Sequence, residues 1–264
     1  SIYMDLLKEL NEAQAALNGA SAAAVKSADN FYQGDASKWR KFANSLMLRV
    51  AMRMSKVDPA AAEQWVKTAV ANGVFESDAD NCMLMHAGGL TTNDSSEPYA
   101  KIYSHEDRGN FFLTKYFVDL LKSTNDPRLS LIGTVCEEPT ISVQAGSDFQ
   151  YGNSDPAVQK GLPSGFSDSP DSPWFVGNKY PEFKDEDYRS TYRSRYSTIN
   201  RYTYSDPTGP TFVCTYAQTQ LLLAEAAVRG WVDGSAQTYY ENGVRAACGS
   251  SHSSPTARRC IISI

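Results

Sequence analysis

From Asp35 to Met54 the chain reads DASKWRKFANSLMLRVAMRM, and its apolar positions recur at steps of three and four. Trp39, Phe42, Ala43, Leu46, Val50 and Met54 therefore share one face of a predicted helix. Lys38, Arg40, Lys41, Arg49, Arg53 and Lys56 make the other face basic. Asp35 or Ser37 is placed to cap the first turn, where backbone N–H groups have no helical acceptor. Asp58 and Pro59 then read as the cap and first residue of a second helix, since proline costs nothing where no donor is needed. That helix, AAAEQWVKTAVANG, stops at Gly73, a residue that tolerates a left-handed end. Two such helices cannot bury their apolar faces alone and need stacked neighbours.

A remote stretch, FVCTYAQTQLLLAEAAVRGWVDGSAQTYYENGVRAA at 212–247, repeats the layout. Tyr216, Gln220, Leu223, Ala224 and Ala227 form one face, Gly230 breaks the run, and Ala236, Tyr239, Tyr240, Val244 and Ala247 resume it. The pair resembles a tetratricopeptide unit without its full signature, the alternative being an ordinary helical hairpin. The fold class expected is mostly α, a scaffold of tetratricopeptide-like hairpins.

Further helices are expected at the start, in SIYMDLLKELNEAQAAL, and from Gly109 to Lys122. The latter has Phe112, Leu113, Tyr116, Phe117 and Leu120 as its apolar face and Asn125-Asp126-Pro127 as its stop. Arg128 in that turn is expected to pair with a nearby carboxylate and stabilise the fold. Between Gly73 and His86 the pattern suggests an exposed loop and then a strand-like run. Asp78 and Asp80 hint at calcium there, but Cys82 falls where an EF-hand needs its third ligand.

From about 133 to 210 the texture changes to glycine, proline, serine and aromatics, without helical period. The region reads as short strands and long ordered excursions from a helical scaffold. It carries Phe149, Tyr151, Trp174, Phe175 and Tyr180 among other rings. A pyranose stacks its C–H face on such rings while neighbouring Asn, Asp and Arg side chains bond its hydroxyls. Trp174 follows DSPDSP, which holds the chain out of regular structure, and Tyr180 precedes a proline that favours extended backbone. Trp174, Tyr180 and Asn178 are thus the candidate ligand-binding residues. Anchoring of the loops is the competing role for any one ring, and Tyr188, Tyr192 and Tyr196 fit a helical turn equally well.

Composition narrows the functional classes. With 264 residues and 42% hydrophobic content the chain has enough material for a core, and a net charge of −5 argues against nucleic acid. No run reaches the roughly 20 apolar residues of a membrane helix. Cys82, Cys136, Cys214, Cys248 and Cys260 are odd in number and irregularly spaced, so a disulfide framework is not expected; Cys214 and Cys248 read as small hydrophobes on helices. GLPSGF at 161–166 lacks the Gly-x-Ser-x-Gly of a nucleophile elbow. The cluster Glu182, Asp185, Glu186, Asp187 reads as a solvated face, and the histidines are isolated. Neither catalysis nor a metal or other cofactor is expected. Glu225 stands out among Leu221, Leu222, Ala226 and Ala227; if buried it needs a cation, with Arg49 and Arg53 the candidates.

YQGDASKWRKFANSLMLRVAMRMS at 32–55, NDPRL at 125–129, GLPSG at 161–165 and TYAQTQLLLAEAAVRGW at 215–231 together resemble the SusD/RagB family, in its SusD-like branch. The resemblance covers roughly residues 1–248, read as one domain with the 133–210 excursion, and leaves 249–264 as an atypical tail. It implies a surface lipoprotein of the outer membrane that binds a nutrient, most often a glycan, and passes it to a SusC-like TonB-dependent transporter. The lipid anchor would lie upstream, making this chain an internal fragment. Trp39, Asn44, Arg49 and Glu225 fall in the matching stretches and are expected to be structural. A protein-docking scaffold without a small ligand is the alternative function.

Overall fold

The computed structural model describes residues 2–20, 25–88, 97–102, 111–136, 152–164, 196–200, 203 and 206–250. Among them the elements run α1 (Ile2–Ala16), α2 (Ala36–Arg53), α3 (Pro59–Asn72), a 3-10 turn (Asp78–Asp80), β1 (Cys82–Leu84), α4 (Pro98–Lys101), α5 (Lys115–Ser123) and α6 (Leu129–Ile132). There follow β2 (Gly133–Cys136), β3 (Gly152–Asn153), β4 (Thr198–Ile199), β5 (Thr211–Cys214), α7 (Tyr216–Val228) and α8 (Ala236–Ser250). The chain is mostly helical, with short strands. It divides into two compact units, one holding the described residues up to 85 and from 210 to 250, the other those from 86 to 209.

The first unit is built on α2. Asp35 accepts a bond from the Lys38 N–H and starts the helix, Asp58 does the same for α3 through Ala61, and Gly73 ends α3 at a φ of 93°. One apolar core joins Leu7 of α1, Met47, Leu48, Ala51 and Met52 of α2, Ala62, Val66 and Ala69 of α3, Leu223 and Ala226 of α7, and Trp231. The helix at 38–56 thus packs on the hairpin at 212–248. Its burial is wider than expected, because α1, α3, α7 and β5 all lie against it. Ala43, Asn44, Ser45, Met47, Leu48, Ala51 and Met52 are buried, while Trp39, Phe42, Leu46 and Val50 of the expected face are half-buried. β1 and β5 pair antiparallel, so Cys214 lies on a strand and not on a helix.

The α7–α8 hairpin closes on a glycine. A Cβ at Gly243 would stand 2.8 Å from Leu221 Cγ and 3.2 Å from the Ala217 carbonyl oxygen. The inward residues of α8 are Gly243 and Ala246, with Tyr239 packed against the core, whereas Tyr240, Val244 and Ala247 face out. The expected face was therefore rotated, because hydrophobicity alone gives no weight to the glycine that permits closest approach.

In the second unit a three-stranded sheet of order β3-β2-β4 lies beside α5 and α6 in the chain. Leu113, Val118, Leu121 and Leu129 form its core, with Phe117, Ile132 and Ile199 against them. The helix expected from Gly109 begins only at Lys115. Thr114 caps it through the Phe117 N–H, and Leu113 already spends its N–H on the Ser197 carbonyl and its carbonyl on the Leu162 N–H. Tyr116, expected to face inward, is 78% exposed. The carboxylate facing Arg128 is that of Asp126, held through two guanidinium nitrogens at 2.9 and 2.6 Å. This pairing keeps the Asp126 carboxyl below its ordinary range, though partial burial opposes it.

Gly243→Val should lower stability by about 1–3 kcal/mol through overpacking of α7 against α8. Gly249→Ala, where a Cβ meets nothing within 4 Å, should not lower it. Urea unfolding of the two variants checks the contrast.

Candidate ligand-binding region

Trp174, Asn178 and Tyr180 lie outside the described residues, as do the Glu182–Asp187 acidic cluster, Tyr188 and Tyr192. What the structure describes is the base to which their segment is attached. β2 and β3 set Cys136 opposite Gly152, so segment 137–151 leaves and returns at the C-terminal end of β2. β4 runs antiparallel to β2, with Thr134 opposite Thr198, so segment 165–195 re-enters through Tyr196 at that same end. Both aromatic-rich segments are rooted at one end of one small sheet.

The feet of segment 165–195 are bonded to each other. Ser197 N–H donates to the Lys160 carbonyl at 2.6 Å, and Lys160 N–H donates to Ser197 Oγ at 2.9 Å. Leu162 N–H donates to the Leu113 carbonyl at 2.7 Å, and Lys115 N–H donates to the Leu162 carbonyl at 2.8 Å. Gly161 sits within this clasp. A Cβ there would stand 2.3 Å from the Thr114 carbonyl oxygen, so backbone lies directly on backbone. GLPSG is thus a packing feature and not only a family mark. Tyr196 is 1% exposed and meets Phe112 edge to face at 6.2 Å. It sits in a bend leading into β4, so the helical-turn reading does not hold for it.

Gln159, also 1% exposed, completes the base. Its side-chain amide N–H donates to the Gly133 carbonyl at 2.9 Å and its backbone carbonyl accepts the Lys122 ammonium at 2.6 Å. These positions escaped sequence reading because their partners lie far along the chain. The glycines offered the available signal. Gly152 is a second case, its absent Cβ lying 2.0 Å from Thr134 Oγ1.

The residues expected to be structural fall in the first unit. Asn44 is wholly buried and its amide donates to the carbonyls of Asn72 and Gly73 at 3.1 and 2.9 Å, closing the end of α3. Ser45 Oγ accepts the Phe75 N–H at 2.9 Å. Trp39 is half-buried, not a central core residue; its ring meets Phe31, Tyr32 and Phe42 edge to face. Arg49 donates to the Val213 carbonyl and to Gln218 Oε1, each at 3.2 Å, and does not pair with Glu225. Glu225 is partly open to water and takes Arg229 at 2.7 Å, one turn along α7. Glu225 thus has a cation, but Arg229 and not Arg49 or Arg53, and because its side chain is exposed a surface ion pair worth little suffices.

Asp80 is the buried carboxylate that holds this unit's turn. It accepts the N–H groups of Glu76 and Ser77 and the Lys41 ammonium at 3.1 Å. Burial pushes its carboxyl up, but those donors outweigh burial and hold it low. Lys41, bonded to Glu76 and Asp80 against some burial, is held above the ordinary lysine range. Of the two aspartates that suggested calcium, Asp80 is thus occupied by an ammonium and backbone donors, and Asp78 Oδ1 accepts the Asn81 side-chain amide at 3.4 Å. Burial first, then the neighbouring Cys82, pushes the Tyr32 hydroxyl up. That hydroxyl donates to the Asp80 carbonyl at 2.8 Å.

Asp29 gathers four donors: the N–H groups of Phe31, Tyr32 and Gly34, and Trp39 Nε1 at 2.8 Å. Desolvation raises its carboxyl, and the four bonds overcome this to bring it from 3.8 to about 2. The unfolded chain then takes up this proton before the folded one. The stabilisation is complete above about pH 4 and is lost as pH falls toward 2. In urea titrations stepped through that window, Asp29→Asn should flatten the fall in stability with pH.

The profile of the SusD-like family, described as starch-binding and associating with outer membrane, matches residues 1–254. A solved chitin-binding protein is 32% identical, with 95% of this chain and 48% of that one aligned at a TM-score of 0.66. A SusD-like protein, Bacteroidetes AC2a, is 25% identical over 96% of this chain and 54% of its own, at a TM-score of 0.73. A chitin-binding SusD homologue from Flavobacterium johnsoniae is 25% identical over 95% and 44%, at 0.65. The chain therefore spans about half the length of these structures. None of the curated proteins compared with it matches. A helical scaffold around α2, the four motifs in order and a profile match over nearly the whole chain lead to one conclusion: the chain belongs to the SusD-like family.

Proposed function

We propose that this chain serves in non-catalytic capture of a glycan at the bacterial cell surface. In this reading the protein is lipid-anchored in the outer membrane and passes its ligand to a SusC-like TonB-dependent transporter. The observation that carries the reading is the common root of the two aromatic-rich segments at one end of the β3-β2-β4 sheet. Stacking on a sugar requires rings that can reach one ligand, and segments rooted together allow this. Chitin binding in two similar structures supports the ligand class. Among the described residues no helix is long and apolar enough to cross a membrane. Binding then works through shape, stacking and hydrogen bonds, and no bond is broken. Trp174 and Tyr180 are the proposed stacking rings and Asn178 a donor to hydroxyls.

The alternative, a docking scaffold without a small ligand, is favoured by the outer face of α8, where Tyr240 and Val244 are exposed.

The full-length protein, titrated with chitin and starch oligosaccharides, should show quenching of tryptophan fluorescence. Trp174→Ala should weaken binding about 5- to 150-fold, the equivalent of roughly 1–3 kcal/mol. Gly161→Val, which drives the Thr114 backbone away, should weaken it too while the helical circular dichroism is kept. Affinity unchanged in a Trp174→Ala, Tyr180→Ala double variant would place the site elsewhere. Absence of any oligosaccharide binding would favour the docking scaffold.

A further inference from the structure

Cys82 opens β1 and Cys214 closes β5, and the antiparallel register sets the two residues opposite each other. Both are free thiols, 0% and 3% exposed, in one small cluster with Tyr32 and Phe75. Residues opposed across an antiparallel pair project to the same side, with Cα atoms about 4.5–5.5 Å apart. A disulfide spans Cα separations of about 4.4–6.8 Å, so residues paired in this way lie within its reach. Phe212 and Val213 on β5 are exposed while Cys214 turns inward, where its thiol lies 3.8 Å from Gln218 Oε1. The register shift beside Cys82 adds local twist at that point.

We infer that Cys82 and Cys214 are a disulfide site that staples β1 to β5. The oxidant is a low-molecular-weight disulfide or a disulfide exchange protein. The thiolate of one cysteine attacks the oxidant's disulfide, forming a mixed disulfide and expelling one oxidant thiolate. The second protein thiolate attacks the protein sulfur of that bond and expels the other. Two protein thiols lose two protons and two electrons, and the oxidant disulfide becomes two thiols. In the folded chain burial pushes both cysteine thiols up and slows this exchange, so the bond forms as β1 and β5 meet during folding. Residues 86–209 all lie between the two cysteines in the chain. Linking them removes the entropy of an open loop of that length from the unfolded state.

The test uses the full chain, unfolded in reductant and refolded in a mixture of oxidised and reduced glutathione. Free thiols are then blocked with N-ethylmaleimide and the digest is mapped by mass spectrometry. The expected result is a peptide joining Cys82 to Cys214, with neither residue alkylated. The thermal midpoint should exceed that of the same chain refolded in reductant, a gain that Cys214→Ala abolishes. Alkylation of both residues after oxidative refolding overturns the inference, as does a bond joining either one to Cys136, Cys248 or Cys260. The peptide map decides the matter from the unaltered chain, whether or not the alanine variant folds.

Discussion

A helix enclosed on several sides must find partners for the polar groups that it carries inward, and α2 carries Asn44 and Ser45 into the core. Their bonds close the end of α3 and catch the Phe75 N–H just beyond it. From there the chain turns through Glu76–Asp80, which Lys41, also on α2, holds by its ammonium. Asn81 then accepts the Tyr216 N–H at 2.6 Å and so fixes the start of α7. Polar groups of α2 thereby set the exit of α3 and hold the next turn, and Asn81 just beyond it fixes the entry of the remote hairpin. Losing such a partner costs about 1–3 kcal/mol for each buried group left unsatisfied, more than a surface pair contributes.

The starts of α2 and α3 and the end of α3 were legible in the sequence, because capping is local. Asp35, Asp58 and Gly73 act within four residues of themselves. How each helix is rotated was less legible. Ranking α2 by apolarity assumes one buried face, and it could not place Asn44 and Ser45 inside because their partners sit beyond α3. The same fault misdirected the choice of a cation for Glu225. Val228 is exposed and Leu221 is partly exposed although it meets Gly243, so apolar flanks did not mean burial there. Arg229, one turn on, was a closer cation than any on α2.

The second unit was legible only as a change of texture. Its strands are two to four residues long, too short for alternation to mark a face. What holds them is non-local: Gln159 to Gly133, Lys160 to Ser197, Leu162 to Leu113. Glycines without room for a Cβ, at 133, 152 and 161, mark these junctions. Sequence reading saw the glycines as turn signals, since a missing side chain shows what is permitted and not what lies opposite. The choice of Trp174, Asn178 and Tyr180 rests on residue type and flanking prolines, which point to an irregular backbone but do not locate a ring in space.

The arrangement also separates two demands on the chain. Among the described residues, the main core draws only on α1, α2, α3, α7 and the chain directly flanking α3 and α7. None of its members falls between 86 and 209. The chain leaves this unit after β1 and rejoins it at β5, and those strands pair with each other. The ends of the long insertion are thus brought together by the scaffold itself, and the closure entropy rises only slowly with the insertion's length. Residues in the insertion can then change without opening a cavity in the helical core. Recognition of a ligand by shape and stacking needs that freedom, whereas catalysis needs groups fixed to a fraction of an ångström. A helical core that takes nothing from a tethered aromatic insertion therefore accords with the binding role proposed for the chain.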